Sequence, residues 1–388
     1  MPATPRPPFS RLWLVLAAAA ALPAQGLLDP KSPEAARSIE IFESLWAAPP
    51  QARLQASFSF VKPFLGYNLR YYAGYDIYLP AAQFDLARGV TFSLIACIEP
   101  SAGPKTYLFQ RQSSPPAPRD GKPLSVAKGL SLHLGGGFYA GPGRYAYRIL
   151  LSDQDGRFYL RSGSFEIKRG REAASLAPNT VVPVGAPVWN GFAEGAPGGH
   201  VTVMVHAAPI LPRRVLTRLQ PYDRYVLLTS LGALLSRGGF SSAHVIVFDL
   251  AGRRILFDEE NFDRNSMRRL RRRLEEADFG AISFQTLAEG PSPQRLAENI
   301  LARAAQQLKE RETLVFLGPA WMPSRGRQPV PAALKESLPR VHYLAMVPRT
   351  VMPQDTINDL VRALKGRVHA IYSPQDFIAA LGRLSPGG

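Results

Sequence analysis

Hydrophobic positions change their period along this chain, and the changes divide it. Over 30–50, Ile39, Phe42, Leu45 and Trp46 recur at helical spacing. Ser32 stands as an N-cap, Pro33 at the first helical position, and Pro49-Pro50 as the stop, so one amphipathic helix is expected. From 54 to 168 the period falls to two. Strands are expected over 54–61, 68–78, 90–99, 106–111, 124–134, 144–152 and 158–167, with turn signals at Pro104, Asp120-Gly121 and Gly135-Gly136-Gly137. Short strands at this spacing predict a β-sandwich. The clearest hairpin alternates Tyr145, Tyr147, Ile149 and Leu151, turns at Asp153-Gln154-Asp155-Gly156, and returns through Phe158, Leu160 and Phe165. That acidic turn lacks the further oxygen ligands of a calcium loop and reads as a plain turn. Ser113-Ser114-Pro115-Pro116-Ala117-Pro118 reads as an exposed proline-rich loop.

The segment 169–198 is rich in Pro, Gly and Ala and has little period, so it reads as a linker with a short edge strand over 181–184. Beyond it the chain alternates. The run Gly199-His200-Val201-Thr202-Val203-Met204-Val205-His206-Ala207-Ala208-Pro209 is a buried strand in pattern. After it come a helix over 221–236, strands over 244–249 and 254–257, helices over 265–277 and 293–310, strands over 314–318 and 343–347, a helix over 355–364, a strand over 368–372 and a helix over 374–384. The stretch 281–287 is ambiguous, with an extended reading preferred. Strands separated by helices imply right-handed crossovers and a doubly wound sheet. The short link Leu250-Ala251-Gly252-Arg253 makes the strands on either side antiparallel, at an edge. The expected fold is therefore multidomain: an all-β sandwich over 54–168, then an α/β doubly wound domain over 199–388 with one antiparallel edge strand. A length of 388 residues suits two cores.

The chain carries two resemblances. Gly143-Arg144-Tyr145 leading into a strand resembles the late strands of immunoglobulin-like and fibronectin-like domains, where the tyrosine is structural. Val245-Ile246-Val247-Phe248-Asp249, then Ile255-Leu256-Phe257, then Asp263-Arg264 and a helix, is similar to the second and third strands of a von Willebrand factor A domain and the segment after them. Phe377 in the terminal helix also fits, so the likeness spans 199 to about 384. That family holds Mg²⁺ with Asp-x-Ser-x-Ser at the end of the first strand. The corresponding residues here are His206, Ala208 and Ile210, and the family's aspartate after the fourth strand is Gly318, followed by Pro319 and Ala320. None offers a hard oxygen side chain, so the resemblance implies a fold kept, metal-dependent adhesion lost, and a general role in protein association. The end of an open parallel sheet is where a ligand would lie. His206, Ala208, Pro209, Gly318 and Trp321 are therefore the candidate binding residues. No cofactor, metal or catalytic residue is assigned. No Gly-x-Ser-x-Gly elbow, His-Glu-x-x-His or glycine-rich phosphate loop occurs.

Charge adds a second candidate. The formal net charge of +16 favours anionic partners. Arg268, Arg269, Arg271, Arg272 and Arg273, with Arg264, crowd one predicted helix whose Met267, Leu270 and Leu274 turn inward. The face reads as solvated and partly neutralised by Glu275 and Glu276, or as a dock for an acidic partner. No motif for specific nucleic-acid binding accompanies it. Cys97, the single cysteine, lies in an apolar run and excludes an intramolecular disulfide and cysteine-based zinc sites.

The first 26 residues read as an export signal: Arg6 and Arg11, then an unbroken apolar run over 12–22 too short for a bilayer span, then Ala24 and Gly26 as small residues for cleavage. No later segment approaches ~20 apolar residues. The sequence thus points to a periplasmic or extracellular, non-enzymatic protein with an envelope or extracellular protein partner. The alternatives are an envelope hydrolase using His206 and a polyanion binder using the arginine helix.

Overall fold

The structure is a computed structural model that describes residues 25–48, 52–114, 130–168, 176–185, 189–192, 199–210, 218–279, 292–307, 313–320, 340–347 and 355–384. Its N-terminal region is sheet-rich. One antiparallel sheet has the order β1 (Gly26–Leu27), β5 (Thr106–Ser114), β4 (Val90–Pro100), β7 (Gly143–Asp153), β8 (Phe158–Ile167). The other runs β2 (Ser57–Leu65), β3 (Tyr71–Pro80), β6 (Ser131–Ala140), β9 (Val181–Pro183). Alternate residues of both sheets, including Tyr75, Ile77, Leu94, Ala96, Phe138 and Ile149, form one core between them. Tyr145 is buried, and its hydroxyl donates to the Gly141 carbonyl at 2.7 Å. This short backward bond is a tyrosine corner.

Helix α1 (Pro33–Ala47) covers the outer face of the first sheet, packing Phe42 on Ile95, Cys97, Tyr107 and Leu150. Arg148 anchors it. Its guanidinium makes two 2.7 Å bonds to Glu43 and lies 5.3 Å and 5.6 Å from the rings of Phe42 and Trp46. The Cys97 thiol is buried beneath the helix, and that burial pushes its pKa up.

Gly135-Gly136-Gly137 departs from the turn that the sequence suggests. The three residues are the middle of β6, paired with Asp76, Tyr75 and Gly74. At two of them neighbouring rings use the space: a Cβ on Gly136 would meet the Tyr75 hydroxyl at 2.3 Å, and one on Gly137 the Tyr72 hydroxyl at 2.3 Å. Strand β3 starts at Tyr71, later than expected, because Gly66 to Arg70 close a turn in which Leu69 adopts φ 59°. Residues 124–129, 115–118 and 281–287 lie outside the described residues, as does the segment 1–24 of the expected signal.

The C-terminal region is an α/β layer structure on a mixed six-stranded sheet. Its order is β12 (Arg254–Glu259), β11 (Ser242–Asp249), β10 (His200–His206), β13 (Thr313–Pro319), β14 (Arg340–Met346), β15 (Arg367–Ile371). All neighbours are parallel except β11 and β12, so the antiparallel strand is at an edge. Helices α2 (Pro221–Arg237), α3 (Arg264–Glu276) and α6 (Pro374–Leu381) bury residues on one face with Val203, Val205, Val245 and Val315. Helices α4 (Pro293–Gln307) and α5 (Thr356–Ala363) bury residues on the other, with Met204, Ile246, Phe316 and Tyr343. Strands covered on both faces explain why β10 reads as a nearly continuous apolar run. Trp189, within the expected linker, is buried against Phe192 and Phe262. The two regions meet where Tyr139 and Tyr225 share a 2.8 Å hydroxyl bond and Tyr67 packs on Phe377. Among the described residues no helix is long and apolar enough to cross a membrane.

Candidate functional site

Strand order reverses at β10, which has β11 on one side and β13 on the other. In an open α/β sheet, the crevice between the C-terminal ends of strands such as β10 and β13 is where a ligand sits. His206 ends β10, and Gly318 and Pro319 end β13. The structure brings His206, Ala208, Pro209 and Gly318 to this end of the sheet, and all four are buried. Trp321 lies outside the described residues.

His206 is buried at this end of the sheet. Its ring stacks on Phe248 of the neighbouring strand, with centroids 5.4 Å apart, and its Nδ1 donates to the Pro319 carbonyl at 3.1 Å. The bond spans the switch point. Nε2 is buried and has no hydrogen-bond partner among the described residues. Burial pulls the imidazole pKa down to about 4, opposed in part by the Pro319 bond, so the ring is neutral at neutral pH. With Nδ1 as the donor, Nε2 keeps its lone pair. Gly318 makes the close approach possible. Its φ is +147°, and a Cβ there would meet the His206 carbonyl oxygen at 2.6 Å.

The surroundings are built from groups already engaged. Asp223, fully buried in the first turn of α2, accepts from the Ile210 and Gln220 amides at 3.1 Å each and so ties the loop after β10 to the helix. The Tyr343 hydroxyl donates to Asp355 Oδ2 at 2.8 Å, and Asp355 also caps α5 through the Asn358 amide at 2.7 Å. Asp249, at the end of β11, accepts from the Gly252 amide at 2.9 Å. Arg254 approaches its other oxygen at 3.5 Å, close enough for an ion pair but without hydrogen-bond geometry. Burial pushes the Asp249 carboxyl up despite these contacts. Among the described residues no three His, Cys, Asp or Glu side chains converge as a metal-binding group.

A serine, threonine or cysteine nucleophile is activated by a base within hydrogen-bond reach, and that base is oriented by a third group. Among the described residues, the one polar contact of His206 is a backbone carbonyl on the nitrogen that already carries the proton. The other histidines of the sheet lie elsewhere. His200 Nδ1 is 2.9 Å from Ser242 Oγ, and His244 Nε2 is 2.7 Å from Asp258 Oδ1. His342 and His369 stack on each other on β14 and β15, with Nδ1 and Nε2 3.1 Å apart.

The arginine residues of α3 take three situations. Asp263 and Ser266 form a capping box, and Met267, Leu270 and Leu274 are buried, which turns the arginines outward. Arg269 pairs with Glu259, Arg271 bonds Glu275 at 3.0 Å, and Arg273 donates to the Leu256 carbonyl at 3.2 Å. Arg268 and Arg272 are exposed and have no such partner among the described residues. Asp223, Pro319, Tyr343 and Asp355 carry no motif, so the sequence alone does not mark them as part of the site. Each matters through a neighbour distant along the chain or through a backbone group.

No family model matches the chain, and no curated protein matches it. Solved structures give weak likenesses. An aerotolerance-related membrane protein from Bacteroides fragilis is 14% identical, covers 48% of this chain and 98% of its own, and has a TM-score of 0.27. An ApaA protein from Bordetella pertussis is 12% identical over 31% of this chain and 99% of its own, with a TM-score of 0.20. Beta-glucuronidase 2 from Bacteroides uniformis is 8% identical over 81% of this chain and 39% of its own, also with a TM-score of 0.20. Likenesses of this size leave fold and function to the chain's own residues.

Proposed function

We propose that this chain is an exported, non-enzymatic binding or scaffold protein, periplasmic or extracellular. In this reading its α/β region is a von Willebrand factor A-like domain that associates with a protein partner without a metal, and its N-terminal region is an immunoglobulin-like sandwich. One observation carries the reading: His206, neutral and buried, fills the position of the family's first metal ligand and bonds across the switch point to Pro319. A domain that kept metal-dependent adhesion would need oxygen ligands there. The strand order, with its antiparallel edge, supports the same assignment. A hydrolase using His206 is disfavoured because Nε2 faces neither a nucleophile nor a carboxylate among the described residues.

The test is capture of partners from the source envelope fraction on the immobilised mature protein, run in EDTA and in millimolar Mg²⁺. The reading expects one saturable protein partner retained equally in both. Retention only with Mg²⁺, or an esterase or peptidase activity lost in His206→Ala, would overturn it.

A further inference from the structure

We propose that the N-terminal corner of strands β14 and β15 binds a phosphate group, free or as a monoester, between His342, His369 and the guanidiniums of Arg340, Arg367 and Arg383. This corner lies at the end of the sheet opposite His206. Strand register builds it. The two strands are parallel neighbours, with His342 opposite Arg367 and Leu344 opposite His369. Side chains alternate between the faces of a sheet. Leu344, Met346 and Ile371 enter the core under α2, α3 and α6, so Arg340, His342, Arg367 and His369 stand on that same face. Arg383 follows the end of α6, the helix packed on β15.

The two imidazoles form the floor and the arginines the rim. His342 and His369 are 6% and 8% exposed, while the three arginines are exposed. The rings lie nearly parallel, and His342 Nδ1 is 3.1 Å from His369 Nε2. One neutral ring therefore donates to the other. Whichever donates, the outer nitrogens, His342 Nε2 and His369 Nδ1, carry one proton and one lone pair between them. A single added proton turns both into donors.

The surroundings oppose that proton. Burial, then His369, Arg367 and Arg340, pulls the His342 pKa down to about 4. Burial, then Arg383 and Arg367, lowers that of His369. The one carboxylate of α6, Asp376, accepts from the Tyr372 amide at 3.1 Å and the Ser373 hydroxyl at 2.9 Å. Among the described residues the three arginines have no ion pair such as Glu43 gives Arg148 or Asp153 gives Arg157. The corner thus sets positive charge round two groups that it keeps neutral. A phosphate dianion reverses the balance. Its oxygens accept from guanidinium and imidazole N–H groups together, and its charge, about twice that of a carboxylate, makes the added proton favourable.

The full-length protein, with its histidine rings labelled, is titrated with inorganic phosphate at pH 6 and followed by NMR, against sodium chloride at matched ionic strength. The His342 and His369 signals move saturably with phosphate and not with chloride. In Arg340→Gln/Arg367→Gln, two exposed changes that leave the core intact, affinity falls about tenfold or more. Sulfate, whose charge is constant over this range, binds up to about tenfold tighter at pH 6 than at pH 7, because a proton enters with it. Vesicles separate the two sources. Retention on phosphatidylcholine vesicles containing phosphatidic acid, absent on phosphatidylcholine alone and lost in the double variant, supports a lipid monoester. Binding of inorganic phosphate without such retention supports a free anion. Signals that move no more with phosphate than with chloride, or a double variant that binds phosphate as tightly as wild type, overturn the site. Sulfate affinity independent of pH overturns the part given to the imidazoles.

Discussion

His206 makes the stability of the α/β region depend on pH in a direction that can be worked out. The folded pKa is about 4, against 6.5 for the free side chain. Below pH 6.5 the unfolded chain binds a proton that the folded chain refuses until about pH 4. The stabilising contribution is therefore complete above pH 6.5 and is lost as pH falls through the window down to 4. The whole window is worth about 3 kcal/mol, at ~1.4 kcal/mol per pKa unit. About 2 kcal/mol of it is lost between pH 7.5 and pH 5. His342, also pulled down to about 4 by burial and by His369, Arg367 and Arg340, adds a pH dependence of the same sign. The perturbation is therefore His206→Leu, which removes one titrating group and leaves the His342 and His369 pair. The assay is urea unfolding of wild type and variant at pH 7.5 and pH 5, followed by circular dichroism. The variant is less stable at pH 7.5, by about 1 kcal/mol for the lost Pro319 bond and more for the smaller side chain. Its loss on acidification, however, is about 2 kcal/mol smaller than that of wild type. Equal losses in the two proteins would mean that His206 is solvated or protonated, and its burial at the switch point would be refuted.

Three further outcomes are expected. Gly318→Ala costs about 2–4 kcal/mol in the same unfolding assay, because the new Cβ meets the His206 carbonyl in a left-handed backbone; a change within about 0.5 kcal/mol would contradict the geometry. Glu43→Ala removes the acceptor of Arg148 and of the Tyr107 hydroxyl, costs about 1 kcal/mol because the carboxylate is partly exposed, and loosens α1. The single thiol reports it: Cys97 reacts with a thiol reagent faster in the variant, and an unchanged rate would place the clamp elsewhere. Tyr145→Phe lowers stability by about 1 kcal/mol through the lost Gly141 bond, and a neutral result would deny the tyrosine corner its part.

Much of the fold is readable because burial leaves a period. The alternation of Tyr145, Tyr147, Ile149 and Leu151 places β7 within a residue at each end, since its inward side chains enter the core between the sheets. Strand β10 is legible as an apolar run broken only by Thr202 between its terminal histidines, because helices bury residues against both faces of its sheet. The glycine run of β6 misleads because the space at Gly136 and Gly137 is filled by Tyr75 and Tyr72, residues of another strand that local pattern does not connect to it. Trp189 is hidden for a similar reason, in a Pro- and Gly-rich stretch whose one large side chain docks on Phe262. At the candidate site the sequence places His206 and Gly318 at strand ends, but the bond that defines the site joins His206 to a carbonyl 113 residues away. A backbone acceptor has no residue type, so no motif announces it.

Thermal melting in EDTA against millimolar Mg²⁺ or Mn²⁺ decides whether the α/β region is metal-independent, as proposed. A cation bound to the native state raises the melting temperature by mass action, more so as its concentration exceeds its dissociation constant. On the proposed reading, in which His206, Ala208, Ile210 and Gly318 stand where the resembled family has its ligands, no shift is expected. A rise of several degrees that disappears in Asp249→Ala would show a different ligand set rebuilding the site, and would contradict metal-independent association.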